Sequence, residues 1–328
     1  MRILTSIWMV ILVASILLGL RISNGDTIKI LRYKTWDFFQ TTQPRNLVSD
    51  AITVVNITEA DLKKYGQWPW PRHVMAMLHA KIGDAGAILI NHNILYAEPD
   101  RMSGVEYLKS MPMTNELRGQ LGETLLDTDA IFSTVLKESN RSILLMSVKN
   151  EPGNELPSTT PIIEKGAVKQ WLYEYPGIVS PYQRVGAGAK GMGVNVTSPE
   201  PDAVVRKMPV LIRINGKIYP SMLLENIRLL NDSKRIKVIA KEHGIDEVLV
   251  SKKSGIPVNH NAEMYINYAD PSKYVQMSAS EILGDSYNEN KIKNRIVILG
   301  LDAAGLSVLK YTPFGLTTDQ MISAQALD

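Results

Sequence analysis

The amino-acid sequence predicts an α/β fold: a central, mostly parallel (mixed) sheet flanked by helices and preceded by an N-terminal transmembrane helix. Three observations carry that prediction. Four short apolar runs, Thr53–Ile57, Ile88–His92, Ile143–Val148 and Arg295–Leu299, alternate with segments of helical periodicity. The first two runs bracket a helix pattern on Val74, Met77, Leu78 and Ile82, closed by Gly83 or Gly86. That is a βαβ unit, whose two strands lie parallel. From Ile3 to Leu20 no residue is charged, and Arg2 and Arg21 bracket the stretch, which is long enough to span a bilayer.

Taken in order, the chain divides into a transmembrane helix over residues 3–21, a juxtamembrane helix over 22–46 and one α/β domain over 47–328. A cleaved signal peptide would need Ser23-Asn24-Gly25 as its processing site. Basic residues alone favour a cytoplasmic main domain, since Arg21, Lys29, Arg32 and Lys34 follow the helix and only Arg2 precedes it. That rule is weak for large translocated domains. In the juxtamembrane helix, Asp26 to Gln40, the apolar residues Ile28, Leu31, Trp36 and Phe39 are the expected inward face, and Pro44 lies in the polar stretch that ends it.

Composition narrows the function. The chain has 328 residues, 45% hydrophobic and 21% charged, so it buries a sizeable core. A net charge of +3, with no Lys/Arg run longer than two, does not suit nucleic-acid binding. The absence of Cys excludes disulfides, thiolate metal sites and cysteine nucleophiles.

Beyond the first βαβ unit, Glu98 starts a long, poorly periodic insertion to about Asp127. Ala130–Glu138 is helical, with Ile131, Val135 and Leu136 as its apolar stripe. Residues 150–161, with three Pro and one Gly, form a surface loop. Val185–Val196 and Val204–Ile214 read as strands. Asn215-Gly216 is a two-residue hairpin turn, Ser221–Leu230 a helix, and Ser278–Leu283 a short helix with Ser as its cap and Glu three residues on. Short strands are expected at Val248–Ser251, Ile256–Val258 and Met264–Tyr268.

Gly66-Gln67-Trp68-Pro69-Trp70-Pro71-Arg72 occupies the first strand-to-helix connection. Each Pro fixes φ and pushes its predecessor into extended backbone, so the two Trp sit on a rigid ribbon. They either plug the core or line a pocket, because two exposed Trp form an apolar patch. Arg72 either ties down carbonyls or a carboxylate of the ribbon, or contacts an anionic ligand.

Other motifs carry less. Gly186-Ala187-Gly188-Ala189-Lys190-Gly191 has the letters of a dinucleotide fingerprint, but the apolar run Met192–Val196 follows it where a helix is needed. The turn from Gly300 to Ser307 lacks the Lys of a phosphate loop and reads as a strand-to-helix turn. The five His have no metal-ligand spacing and read as solvent-facing or core-satisfied. No cofactor and no catalytic triad is expected.

These residues, in this order, resemble the type-two CHASE domain. They are Asp37; Tyr65 to Arg72; Gly86-Ala87; Ile94-Leu95-Tyr96-Ala97-Glu98-Pro99-Asp100; and Asp202-Ala203-Val204-Val205-Arg206. Near the C-terminus come Ile296 to Gly300, Ala304-Gly305-Leu306, Thr312 to Gly315 and Ala326-Leu327-Asp328. The resemblance covers about Ile22 to Asp328, and its Trp-Pro-Trp-Pro-Arg block is the most specific part. It implies an extracytoplasmic sensor and not an enzyme, anchored in a bacterial inner membrane with its N-terminus inside and the domain in the periplasm. Further transmembrane helices would follow near Asp328, then a histidine kinase, nucleotide cyclase or diguanylate cyclase. A homodimer and a small-molecule or envelope-derived ligand are implied as partners. A membrane-anchored periplasmic enzyme and a structural envelope-interaction domain are the alternatives. Thr58, Asn93 and Val308 stand where the family often has acidic residues, which argues against an inherited metal or acid site.

A ligand is expected in the crevice at the carboxyl ends of the parallel strands. The candidate residues are Thr58 and Glu59 after the first strand, Asn93 after the second and Asp302 after the last. Trp68, Trp70 and Arg72 would form its wall or lid.

Overall fold

The computed structural model describes residues 7–23, 26–152, 157–198, 200–251, 254–284 and 287–328. The strands β1 (Ile52–Thr58), β2 (Leu89–His92), β3 (Ser142–Lys149), β4 (Gly177–Val179), β5 (Gly191–Val194), β6 (Val275–Ser278) and β7 (Ile296–Asp302) build one sheet. Its order is β6-β1-β7-β2-β3. Along successive stretches of β3, β5 pairs parallel and β4 antiparallel. Every other pairing in this sheet is parallel. The four apolar runs of the sequence therefore share one sheet, as the alternation predicts.

Both faces of that sheet are covered, which is why its strands read as nearly continuous apolar runs. On one face Val55, Ile57, Ile90, Leu144, Val297 and Leu299 pack against α4 (Arg72–Asp84), α5 (Thr128–Ser139) and α7 (Ala279–Leu283). On the other, Ile52, Val54 and Ile298 meet Met321 and Ala324 of α8 (Asp319–Leu327), while Leu89, Ile143 and Ile296 meet Met222 of α6 (Met222–Leu230). Gly193 of β5 lets the backbone of Met222 approach: a Cβ at that glycine would lie 2.5 Å from the Met222 nitrogen. Between β5 and β6 lies a β-rich part with a second core around Val210, Leu224, Val238 and Val248. Its hairpin Leu211–Ile214/Lys217–Pro220 turns at Asn215-Gly216, where φ is 47° and 74°, as the sequence predicts. The Ser278 hydroxyl accepts from the Glu281 N–H at 3.2 Å, capping α7.

Several expectations need correction. Ile88 precedes β2 and is 45% exposed, so the second strand starts at Leu89. Val185–Val196 is not one strand: a helical turn over Gln183–Gly186 precedes β5. Val204–Ile214 breaks into Lys207–Pro209 and Leu211–Ile214, which belong to different sheets. The insertion after Glu98 contains two helices, Gly104–Ser110 and Asn115–Thr124. The turn after β7 leads not to a helix but to the hairpin β8 (Leu309–Thr312)/β9 (Gly315–Thr318).

Two helices precede the domain, α1 (Ile7–Ser23) and α2 (Asp26–Thr42), with α3 (Glu59–Tyr65) following β1. Residues 3–6 of the expected membrane span lie outside the described residues. Among the described residues, no helix is long and apolar enough to cross a membrane. Helix α2 docks on the domain, and of the expected inward residues Trp36 takes part while Leu31 and Phe39 do not. Leu31 and Phe39 are 69% and 54% exposed. The docking residues are Tyr33, Trp36, Asp37 and Gln40, one face at helical spacing. The buried Arg206 guanidinium donates to both Asp37 carboxylate oxygens at 2.8 and 2.7 Å, is bidentate on Asp202, and lies 4.7 Å over the Tyr33 ring. Trp36 packs on Tyr265, and Gln40 Oε1 accepts from the Tyr268 N–H at 2.8 Å. The face mixes aromatic and polar side chains because its partners are a cation, an aromatic ring and a backbone donor.

Candidate functional site

The carboxyl ends of β2, β3, β5 and β7 open into a cleft of about 670 Å³, within the range of small-molecule sites. Asn93 and the Ile94–Arg101 segment enter it from β2, Leu145 and Ser147 from β3, Asn195 from just after β5, and Leu301 from β7. Trp68, Pro69 and Arg72 of the β1-to-β2 crossover close one side. Lys310 of β8 and the first turn of α8, Asp319 and Gln320, close the other.

The two Trp of the Pro-rich ribbon take different roles. Trp70 is 1% exposed, donates its indole N–H to the Gly66 carbonyl at 2.9 Å and meets Tyr65 edge-on. Burial of such a side chain alone stabilises by several kcal/mol. Trp68, half-buried, faces the cleft; the Trp68–Pro69 peptide is cis. Arg72 lines the cleft too, but its guanidinium is tied inward. It donates to the Glu98 carbonyl at 3.1 Å, pairs with Asp129 at 3.5 Å and stacks 4.7 Å over Tyr96. Burial pushes the Asp129 carboxyl up, against the pull of the Asp100 N–H and Arg72. Asp100, also buried, accepts from the Arg72 N–H at 2.7 Å and from the Thr128 hydroxyl at 2.6 Å.

The cleft thus brings together Trp68, Arg72 and Asn93. Trp70, Thr58, Glu59 and Asp302 are not part of its lining. Thr58 caps α3, its backbone N–H and hydroxyl both donating to the buried Asp61 carboxylate. The Glu59 carboxylate accepts from the Ala304 N–H at 2.8 Å, so it occupies an amide of the turn after β7. Asp302 ends β7, exposed, beside Thr58.

Behind the cleft wall runs a chain of neutral side chains that no sequence spacing announces. The Ser139 hydroxyl donates to the Leu136 carbonyl, so Ser139 Oγ accepts from His79 Nε2 at 2.7 Å. His79 Nδ1 then accepts from His92 Nε2 at 2.9 Å, and His92 Nδ1 accepts from the Tyr96 hydroxyl at 2.9 Å. Donor accounting fixes this direction and both tautomers. Burial lowers the His79 pKa to about 4, holds His92 well below the usual imidazole value, and pushes the Tyr96 phenol up. His73, His243 and His260 are exposed, and among the described residues no group of three or more metal-ligating side chains occurs.

The floor of the cleft is polar, and sequence reasoning missed most of it. Asn195 Nδ2 donates to Asn93 Oδ1 at 2.9 Å and to Ser323 Oγ of α8 at 3.1 Å. Gln320 donates to Asn56 Oδ1 at 3.0 Å and to the Leu301 carbonyl at 2.9 Å. At the far end of α8, the buried Asp328 carboxylate accepts from Arg45 at 2.6 Å, from the Tyr274 hydroxyl at 2.9 Å and from the Ser49 N–H at 3.0 Å. Arg45 and Ser49 lie in the segment that leaves α2. One short helix therefore joins the cleft to the exit of α2.

The family model for the CHASE2 domain matches residues 9–328, nearly the whole chain. No curated protein and no solved structure matches it. A match of that extent gives the assignment: the chain belongs to the CHASE2 family, the extracytoplasmic sensory domains of signalling receptors.

Proposed function

We propose that this chain is the sensor portion of a bacterial transmembrane receptor. It binds a ligand in the cleft and passes the signal to a cytoplasmic output enzyme encoded beyond Asp328. The observation that carries the reading is the cleft itself, whose floor is the start of α8 and whose opposite end is bonded to the exit of α2. Helix α1 is the anchor in this reading. Its Ile7, Trp8, Val10, Ile11, Leu12, Val13, Ile16, Leu17 and Leu18 are all exposed, and this apolar surface suits lipid. The domain then lies outside the inner membrane, and the chain itself performs no chemistry. A coupling of about 1–3 kcal/mol between cleft and membrane helix is enough for a receptor of this kind.

The test uses the full receptor with Trp68→Ala, a change at the half-buried cleft wall. Signalling should be lost while the thermal midpoint moves little. Unchanged signalling in that variant overturns the cleft as the sensory site.

A further inference from the structure

The cleft floor says what kind of ligand fits. Its ionisable groups balance, with Arg72, Arg101 and Lys310 against Glu98, Asp100 and Asp319. Lys310 pairs with Asp319 at 2.7 Å, Arg72 and Asp100 are engaged as above, and Glu98 and Arg101 are exposed at the rim. Away from those two exposed side chains, a charged ligand would lose hydration without meeting an uncompensated opposite charge, which is unfavourable. The cleft floor therefore favours an uncharged ligand.

Two carboxamides then offer its polar contacts. Asn93 uses its oxygen and Asn195 its nitrogen in the bond between them, so the donor Nδ2 of Asn93 and the acceptor Oδ1 of Asn195 remain. Neither makes a hydrogen bond to a described residue, and both residues line the cleft. A rigid donor and acceptor side by side match a pair of neighbouring hydroxyls, each of which donates and accepts. The half-buried Trp68 ring supplies a flat apolar wall, suited to the C–H face of a sugar ring.

Resting on the sensory reading of the cleft, we propose that it binds a neutral saccharide, read by the Asn93–Asn195 pair with Trp68 as stacking surface. Its occupancy reaches α8 through the Asn195–Ser323 bond. A ligand hydroxyl that engages Asn195 competes with or reinforces that bond, and the nine-residue helix conveys the change to Asp328 and Arg45.

The test is calorimetric titration of the full chain in detergent with glucose, N-acetylglucosamine and maltose as neutral probes, and with gluconate and glutamate as charged ones. Hydrogen exchange over residues 45–51 is followed in parallel. At least one neutral sugar should bind saturably, at least tenfold more weakly in Asn195→Ala and in Trp68→Ala, both of which remain folded with thermal midpoints that move little. Ser323→Ala should keep the affinity and lose the sugar-induced change in exchange. Saturable binding of gluconate or glutamate alone overturns the saccharide assignment and leaves the cleft as a ligand site. Sugar binding that survives both Asn195→Ala and Trp68→Ala overturns the site. A full exchange response in Ser323→Ala overturns the route. No binding by any of the five probes overturns the inference, while an intact response in the Trp68→Ala receptor is what removes the sensory reading beneath it.

Discussion

Both faces of the central sheet have an apolar core, but they differ in the polar contacts that accompany it. Helices α4, α5 and α7 cover one face with apolar side chains, Met75, Leu78, Ile82, Phe132, Leu136 and Ile282, and with a neutral histidine chain whose protons are all fixed. Helix α8 covers part of the other face and is bonded by side chains along its length: Gln320 to β1 and β7, Ser323 to Asn195, Gln325 to the Ala269 N–H at 2.8 Å, and Asp328 to Arg45. Close-packed apolar surface has one good arrangement, and any gap in it costs energy. Hydrogen bonds to exchangeable partners can be remade by a ligand or by water at little net cost. In the proposed reading, the first face is the scaffold and α8 is the element that responds to the ligand.

Trp70 gives the largest expected break between the faces. Trp70→Ala should lower unfolding stability by about 3–5 kcal/mol, because the side chain is fully buried and leaves a cavity. Trp68→Ala, two residues away, should cost well under half of that. Urea melts of the two variants decide it; equal losses would mean that the Trp68 wall is scaffold as well.

Acid should loosen the histidine face next. A base whose folded pKa lies below its unfolded value contributes stability in full above the unfolded pKa, and loses it as pH falls toward the folded one. For His79 the window runs from the ordinary value, 6.5, down to about 4, and the loss across it is about 3 kcal/mol. His92 adds to it in the same direction. Carboxylates also titrate there, so the quantity to measure is the difference between the wild type and a His79→Gln/His92→Gln variant. The variant should start less stable at pH 7 and lose less between pH 6.5 and 4.5. Parallel pH curves would contradict a neutral buried pair.

The sheet and the helices of the apolar face were legible in the sequence because apolar burial leaves a period. Four parallel strands, buried on both sides, are runs of Val, Ile and Leu, and α4 and α5 repeat their apolar residues at three and four. Polar docking leaves no such period, which is why the docking face of α2 is only partly legible: Trp36 packs inward as expected, but Asp37 and Gln40 join it on Arg206 and the Tyr268 N–H while Leu31 and Phe39 are exposed. The site was legible in part for the same reason. Trp68 and Asn93 follow from the rule that ligands sit at strand ends. Asn195 is 102 residues from Asn93, Ser323 is 128 from Asn195, and nothing in either stretch announces the contact. The only local trace of the histidine chain is His92 four residues before Tyr96.

On the polar face, Gln320→Met should cost about 2 kcal/mol. It keeps the volume and removes the donor to Asn56 and to the Leu301 carbonyl, leaving acceptors without that partner beside the cleft. Hydrogen exchange should rise along α8 and over residues 45–51 and stay unchanged in α4. A rise in α4 of the same size would make the two faces one cooperative unit and remove the distinction.

The smallest stability effect falls at Asn93, where the comparison is sharpest. Its side chain is half-buried, its carboxamide makes one bond, to Asn195, and Asn195 keeps its second bond to Ser323 when that one is lost. Water can replace the missing oxygen because the residue lines an open cleft. Asn93→Ala should therefore cost less than about 1 kcal/mol. Signalling in the full receptor should nevertheless fail, because the donor assigned to the proposed ligand is gone. Arg72→Ala, at the same cleft but with its guanidinium tied to Asp129 and Glu98, should instead lose stability and signalling together. A large stability loss in Asn93→Ala would place the cleft floor with the scaffold, and the polar face would have no residue whose role is recognition alone.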